Sequence, residues 1–230
     1  MNMSSPTPDA KTALFVPCLT GAVFARDADA QRKLLALSGY PGSDTLAAFC
    51  CGQPAATAGD AAGSATMGRA FAAFAAAYDA VFVASATCCA HLRQADSGGD
   101  RVRYAPEVWV ERIKARSEQA EIPIYLHRPC HDVWDETQFR DYERWVAETA
   151  NVRVIARPFR DPCCGFGGVF STLFDRTAEA MMAHRVGAIA EAGAAVVVSA
   201  EPGCLSHFAA HAGGLRVVPL ATFLLSRGIA

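Results

Sequence analysis

The residues best suited to chemistry in this sequence are two pairs of adjacent cysteines, each followed by glycine. They are Cys50-Cys51-Gly52 and Cys163-Cys164-Gly165-Phe166-Gly167-Gly168. Adjacent thiols rarely bond to each other, because the vicinal peptide would strain the bridge away from its preferred torsion. The glycines allow backbone conformations that other residues resist. Two sulfurs presented side by side on such a loop therefore indicate a metal-binding loop.

The composition narrows the class of protein. Of 230 residues, 52% are hydrophobic and 19% are charged, which is typical of a globular chain with ample material for a core. The net charge of -2 provides no basic surface for nucleic acid. Residues 1–11 lack the apolar segment of a secretory signal, and the longest apolar stretch, 70–90, is interrupted by Asp79. We therefore expect a cytoplasmic chain without a transmembrane segment, whose nine cysteines are reduced.

The cysteines recur in a fixed order that indicates an internal duplication. Cys18 precedes the first adjacent pair by 32 positions, and Cys130 precedes the second pair by 33. Beyond each pair lies one further cysteine with a histidine three positions later, and counterparts in the two halves are 112 to 116 positions apart. The matching positions are Cys18 and Cys130, Cys50 and Cys163, Cys51 and Cys164, Cys88 and Cys204, and His91 and His207.

The segments between the cysteines alternate between short apolar runs and helical patterns. This alternation predicts βαβ units with parallel strands, in which ligands bind beyond the carboxyl ends of the strands. The predicted strands are 13–18, 81–85, 124–130, 152–155, 195–199 and 215–220, and the predicted helices are 27–38, 65–78, 106–119, 136–150, 172–192 and 221–226.

We therefore expect an α/β fold of two pseudo-symmetric, Rossmann-like halves with short parallel sheets and with cysteines at the C-terminal strand ends. The expected domains are a flexible N-terminal tail over 1–11, a first repeat over 12–120 and a second repeat over 121–230.

Four thiols in each half suit a soft metal. Cysteine thiolates select iron–sulfur clusters, zinc or copper(I), and neighbouring glycines allow backbone N–H groups to approach cluster sulfurs. Zinc is an alternative, although its sites usually comprise two compact pairs rather than one vicinal pair with long gaps. A single cysteine is often only a small buried hydrophobe, but eight in register argue against that interpretation. The candidate ligands are Cys18, Cys50, Cys51, Cys88, Cys130, Cys163, Cys164 and Cys204.

The pattern Cys…Cys-Cys-Gly…Cys, present twice, resembles the cysteine-rich CCG domain family. That family includes the cysteine-rich subunit of heterodisulfide reductase, the iron–sulfur subunits of glycolate oxidase and of anaerobic glycerol-3-phosphate dehydrogenase, and the lactate-utilisation iron–sulfur proteins. The chain is most similar to the lactate-utilisation type. The segments that carry this resemblance are Phe15-Val-Pro-Cys18, Cys50-Cys51-Gly52-Gln53-Pro54-Ala55, Pro129-Cys130-His131, Cys163-Cys164-Gly165-Phe166-Gly167-Gly168 and Gly203-Cys204-Leu205.

The resemblance implies one or two [4Fe–4S]-type clusters held by the eight candidate cysteines. Because the second paired-cysteine loop is richer in glycine, we expect the better-formed cluster in the second half. It implies an electron-transfer subunit of an oxidoreductase complex that oxidises L-lactate or a related 2-hydroxy acid. The implied partners are a separate ferredoxin-type iron–sulfur subunit and a further oxidoreductase subunit, because the sequence has no flavin or nicotinamide fingerprint. The alternatives are a thiol–disulfide redox subunit of the heterodisulfide reductase kind and a zinc-bound structural protein.

Several residues depart from the family pattern or have no fixed role in it. Heterodisulfide reductase subunits have a fifth cysteine where this chain has His91 and His207, and Cys89 is an additional thiol. These three residues, together with His131, are further candidate ligands or hydrogen-bond donors to the cluster. Asp132 and Asp161 are expected to be turn or cap carboxylates. No role is assigned to His127, His184 or His211.

Overall fold

The computed structural model describes residues 6–7, 9–95, 97–158 and 163–229, and its chain divides between Ile113 and Lys114 into two compact units. Most of the expected N-terminal tail lies outside the described residues. The sequence-based boundary after residue 120 stays a prediction. Among the described residues, no helix is both long enough and apolar enough to cross a membrane.

The first unit is a four-stranded parallel sheet in the order β2-β1-β3-β4, flanked by helices. Strand β1 is buried along its whole length, as expected for a parallel strand covered on both faces. The strands are β1 (Thr12–Pro17), β2 (Asp44–Phe49), β3 (Ala80–Val83) and β4 (Val102–Tyr104). The helices are α1 (Cys18–Val23), α2 (Ala25–Leu37), α3 (Gln53–Thr57), α4 (Ala61–Ala75), α5 (Ala86–Gln94) and α6 (Ala105–Arg112), with a 3-10 turn at Gly99–Arg101.

The second unit repeats this topology, with strand order β6-β5-β7-β8 and every pairing parallel. The strands are β5 (Ile122–Leu126), β6 (Val152–Val154), β7 (Val196–Ser199) and β8 (Arg216–Pro219). The helices are α7 (Glu136–Ala150), α8 (Phe170–Leu173), α9 (Asp175–Glu191), α10 (Pro202–His211) and α11 (Leu220–Ser226). The expected α/β fold with two similar halves and short parallel sheets is confirmed.

The strand order has a direct consequence for the site. In each unit the chain passes from the first strand to a neighbour on one side and then to the third strand on the other side. The crevice at such a topological switch point lies beyond the carboxyl ends of the two central strands. Cys18 directly follows β1, and Cys88 and Cys204 lie in the first turns of the helices that follow β3 and β7.

Some predicted elements were wrong in extent. The helix predicted over 106–119 ends at Arg112, and Ile113 is already extended and buried. The helix predicted over 65–78 begins earlier, at Ala61, because Asp60 caps it by accepting a hydrogen bond from the Gly63 amide (2.8 Å). Strands β2 and β4 were not predicted, since the first is alanine-rich and the second has only three residues.

One buried side chain ties the ends of the second unit together. Arg227 is 6% exposed and follows helix α11. Its guanidinium donates hydrogen bonds to the backbone carbonyls of Ala150 (2.9 Å), Ala120 (2.8 Å) and Asn151 (3.2 Å), and to Oε1 of Gln119 (3.0 Å). It therefore joins the C-terminal helix to the segment that enters β5 and to the turn between α7 and β6.

We predict that Arg227→Met lowers the free energy of unfolding by about 3 kcal/mol, because the side-chain volume is kept while several buried carbonyls lose their donor. Urea unfolding followed by circular dichroism measures the change. Arg216→Met, at an exposed position of β8, is the control and is expected to change the free energy by less than about 0.5 kcal/mol. Equal effects of the two substitutions would contradict the structural role of Arg227.

Candidate metal centres

The four predicted cysteine ligands of the first unit form one group, the first thiol cluster (Cys18, Cys50, Cys51 and Cys88). The Cys18 thiol interacts with Cys50, Cys50 with its neighbour Cys51, and Cys51 with Cys88. Three separate segments supply these thiols: the start of α1, the loop after β2 and the first turn of α5. The exposed thiol of Cys18 forms the outer edge of the cluster, whereas Cys51 and Cys88 are buried.

The thiols of the first cluster oppose one another's ionisation. Burial, followed by the neighbouring Cys50, raises the pKa of Cys18. The Cys51 contact and burial raise the pKa of Cys50. Interaction with Cys50 lowers the pKa of Cys51, but the Cys88 contact and burial outweigh it, so the net shift is upward. A cation is therefore needed before Cys18, Cys50 and Cys51 can be thiolates together.

The second thiol cluster (Cys130, Cys163, Cys164 and Cys204) is built in the same way. Cys130 interacts with Cys163, and Cys164 interacts with Cys204. The charges of Cys130 and Cys204 also act on each other. Cys164 and Cys204 belong to a hydrophobic core that includes Phe208, whereas Cys130 is exposed.

The electrostatics of the second cluster differ from those of the first. The Cys163 contact raises the pKa of Cys130, and the Cys164 contact raises that of Cys204. The pKa of Cys164 is instead lowered. Its contact with Cys204 contributes most, burial opposes the change, and the imidazoles of His127 and His207 lower the pKa further. The second unit thus favours a thiolate at Cys164, whereas the first unit disfavours one at the corresponding Cys51.

A glycine in the left-handed region shapes each paired-cysteine loop. Gly52 (φ +92°) and Gly165 (φ +82°) direct their amides toward the sulfurs of Cys50 (3.5 Å) and Cys163 (3.4 Å). A Cβ on Gly52 would lie 3.0 Å from a backbone carbonyl oxygen of α4, and a Cβ on Gly165 would lie 3.2 Å from that of Ala178 in α9. Both loops therefore need glycine for conformation and for space.

Helix starts contribute to both clusters. Ser85 caps α5, and its hydroxyl accepts a hydrogen bond from the Cys88 amide (3.1 Å). Glu201 caps α10 by accepting one from the Gly203 amide (3.3 Å). Cys88 and Cys204 therefore each lie in the first turn of a capped helix.

The three histidines predicted as further candidates have different surroundings. The Nε2 atom of His91 is hydrogen-bonded to the Ser64 hydroxyl (3.2 Å). His207 is buried beside Cys164, and its Nδ1 has no hydrogen-bond partner among the described residues. The side chain of His131 is exposed.

Cys89 is separate from the first thiol cluster. It is fully buried, and burial raises its pKa to about 12. The charged groups that act on it are Arg93, Glu107 and Arg103 rather than the other thiols. Its surroundings are therefore those of a packed core residue.

Of the two carboxylates predicted to have turn roles, Asp132 has that role. Its side chain accepts hydrogen bonds from the Val133 (2.8 Å) and Trp134 (3.2 Å) amides, and Arg128 donates another (2.7 Å). Asp161 lies outside the described residues.

Sequence reasoning missed two residues at the second cluster. His127 follows β5, three positions before Cys130, and was assigned no role. Its ring nitrogen and the sulfurs of Cys164 and Cys204 all lie within 4.8 Å of one another. Arg185 of α9 is 5% exposed and donates a hydrogen bond to the Cys163 carbonyl (2.5 Å). The position of His127 in the predicted strand segment, three residues before Cys130, was the signal that could have identified it.

The donor sets fit a thiolate-bound metal or cluster. Each unit joins its cysteines by pairwise contacts near strand ends, with a glycine amide directed at one sulfur, and thiolates are the ligands of iron–sulfur clusters and of structural zinc.

The family model of the cysteine-rich CCG domain matches this chain twice, over residues 12–93 and 124–209. The chain belongs to the cysteine-rich CCG domain family. Both matched regions include a complete thiol cluster, so the duplication inferred from cysteine spacing coincides with two copies of one domain.

Several relatives carry the name Lactate utilization protein A. The chain is 28% identical over 244 residues to the one from Geobacillus kaustophilus, covering 94% of this chain and 99% of that protein. It is 27% identical to the one from Geobacillus thermodenitrificans, with coverage of 94% and 99%, and 26% identical to the one from Bacillus subtilis, with coverage of 94% and 100%. The likeness therefore extends over both CCG domains.

We predict that Gly165→Ala lowers the free energy of unfolding by about 2 kcal/mol, because a Cβ there strains the backbone and meets the Ala178 carbonyl. It should also reduce the metal content, since the loop must shift. Gly193→Ala is the matched control, because Gly193 has φ +79° but open space around its Cβ position, and it should cost about 1 kcal/mol. Urea unfolding and metal analysis test both, and an unchanged metal content in Gly165→Ala would contradict the prediction.

Proposed function

We propose that this chain is an iron–sulfur electron-transfer subunit of an oxidoreductase that oxidises L-lactate or a related 2-hydroxy acid. The observation that carries the proposal is the pair of four-thiol clusters at corresponding strand ends of two CCG domains. The proposed ligands are Cys18, Cys50, Cys51 and Cys88 in the first domain and Cys130, Cys163, Cys164 and Cys204 in the second. The proposed cofactor is one or two [4Fe–4S]-type clusters.

The surroundings of the sulfurs support a redox centre. Backbone amides of Gly52, Gly165 and Phe166 point at neighbouring cysteine sulfurs at 3.4 to 3.5 Å. Hydrogen bonds to cluster sulfurs stabilise the reduced, more negative state and so tune the reduction potential. When bound, a cluster would supply one-electron transfer. The chain itself holds the sulfurs, directs these amides and excludes water from the inner side of the site.

The uneven exposure of the thiols supports exchange of electrons with a partner. Cys18 and Cys130 are exposed, while Cys51, Cys88, Cys164 and Cys204 are buried. A centre held in this way has one edge at the protein surface, where a second redox protein can approach. We propose a separate ferredoxin-type iron–sulfur subunit as that partner, with the organic oxidation on a further subunit. The substrate class comes from the name that the relatives carry.

The exposed Cys18 and Cys130 also favour a second candidate, a thiol–disulfide redox subunit of the heterodisulfide reductase kind. Such a subunit would need a disulfide substrate to approach the open edge of its cluster. Activity with a disulfide and a reduced viologen dye, in the absence of any 2-hydroxy acid, would favour this candidate. Growth of a deletion strain on lactate, compared with glycolate, distinguishes the substrates of the first candidate.

Anaerobic purification of the full chain tests the proposed cofactor. We expect a brown protein with broad visible absorbance and with matched amounts of iron and acid-labile sulfide. Stoichiometric zinc without iron or sulfide would overturn the redox proposal in favour of a structural zinc protein, because the same four thiolates also suit tetrahedral zinc.

We predict that Cys164→Ser removes the iron of the second domain, because a hydroxyl replaces thiolate poorly on iron. If both domains are loaded, iron per chain should fall by about half. Cys89→Ser is the control, since Cys89 is buried apart from the thiol cluster, and it should retain its iron. Iron and sulfide analysis of both variants is the measurement, and full iron retention in Cys164→Ser would count against this ligand assignment.

A further inference from the structure

His127 is a buried imidazole that lies beside the sulfurs of Cys164 and Cys204. It is 2% exposed, and neither ring nitrogen has a hydrogen-bond partner among the described residues. Its backbone is fixed between strands, because its amide donates to the Val198 carbonyl (2.8 Å) and its carbonyl accepts from the Ser199 hydroxyl (3.2 Å). Its ring packs edge-on against Phe208, with centroids 5.1 Å apart. Buried polar groups are normally paired, so this ring requires an explanation.

The groups beside this imidazole are metal ligands by chemistry. One ring nitrogen of His127 and the sulfurs of Cys164 and Cys204 lie within 4.8 Å of one another, and all three residues are buried. Metal bonds of about 2.0 to 2.3 Å place the ligand atoms of a tetrahedral metal about 3.3 to 3.8 Å apart. A contraction of about 1 Å or less would bring these three atoms into one coordination sphere. Imidazole and thiolate together bind zinc and iron well.

The first domain has a phenyl ring at the position of this imidazole. Phe15 pairs with Val83 across β1 and β3, and the same register in β5 and β7 places His127 opposite Ser199. Phe15 packs edge-on against Phe71, with centroids 5.3 Å apart, and neither side chain has a polar group to satisfy.

A second pair of corresponding positions also differs in residue type between the two domains. In the first domain, the loop glycine faces Ser64 and Met67 of α4. In the second domain, the loop glycine faces Ala178 and Met181 of α9, so corresponding positions of the two helices are 114 residues apart. The same offset matches Phe71 to Arg185. A buried imidazole and a buried guanidinium in the second domain therefore correspond to two phenyl rings in the first.

We propose that His127 is a ligand of the metal centre in the second domain, beside Cys164 and Cys204, so that the two domains hold chemically different centres. The inference rests on the proposed function in one respect, that the second thiol cluster binds metal. His127 would be a neutral ligand in addition to the four cysteines, whereas a thiolate at the same position would add negative charge to the centre. The neutral ligand therefore gives an iron–sulfur centre a higher reduction potential than a fifth thiolate would.

His127→Phe tests this role with the side chain that the first domain has at the same position. A ligand and a structural histidine respond in opposite ways. If His127 is a ligand, the metal-free variant should have an unchanged or higher Tm, because an unpartnered imidazole is removed, while the purified protein should lose the metal of its second domain. A lower Tm of the metal-free variant together with an unchanged metal content would overturn the proposal.

Spectroscopy on the wild-type full chain tests the bond directly. In protein labelled with ¹⁵N-histidine, a paramagnetic state of the cluster should show strong coupling to one nitrogen in electron spin-echo spectra. The coupling should vanish in His127→Phe and persist in His184→Phe, which changes an exposed histidine of α9. His127→Cys should restore the metal content without the nitrogen coupling and lower the reduction potential. For a diamagnetic or zinc centre, which gives no such spectrum, the test is the metal content: it should fall in His127→Phe and recover in His127→Cys.

The outcomes separate this inference from the proposed function. Metal bound in the wild type without nitrogen coupling, and retained fully in His127→Phe, overturns the role of His127 and leaves the electron-transfer proposal standing. A wild-type chain that takes up neither iron nor zinc overturns both. Zinc in place of iron overturns the redox function, while loss of that zinc in His127→Phe and its recovery in His127→Cys still support the ligand.

Discussion

Mutual repulsion among closely packed thiolates is the constraint on which both sites depend. Burial and neighbouring sulfurs raise the pKa of three thiols in the first unit and of two in the second, so that the metal-free protein holds protons where a metal would hold positive charge. The Gly52 amide, directed at the Cys50 sulfur, reduces this repulsion but does not remove it. A cationic centre that displaces the protons would offset the repulsion between the thiolates. We therefore expect metal binding to stabilise each unit.

Parallel strand order is what brings the sulfurs together. Each cluster draws on three segments distant in sequence, and all three approach the carboxyl ends of the two central strands. No local motif could do this, because the long gaps between ligands contain whole strands and helices. The glycine of each paired-cysteine loop then fixes the approach, since its left-handed conformation and its contact with the following helix leave no room for a side chain.

Regular patterns could be read from the sequence, whereas features that depend on packing could not. Constant spacing of the cysteines identified the duplication and the candidate ligands, and the alternation of apolar runs with helical patterns predicted the parallel sheets. The sequence could not show that the helix predicted over 106–119 ends at Arg112. Helix propensity continues beyond that residue, whereas the buried Ile113 has an extended backbone. The spacing also could not assign His127 or Arg185, since a search for matching positions discards residues whose counterparts differ. Their significance follows from burial and from distance to the sulfurs, which only coordinates supply.

The two halves therefore differ in how well their buried side chains are accommodated when no metal is bound. The paired rings of Phe15 and Phe71 are satisfied by apolar contact alone, so this part of the first domain is a stable core in itself. The corresponding part of the second domain has a buried imidazole whose ring nitrogens have no hydrogen-bond partner among the described residues. Such a group destabilises an apolar core unless a ligand lies next to it. We therefore expect the second domain to depend more strongly than the first on a bound metal.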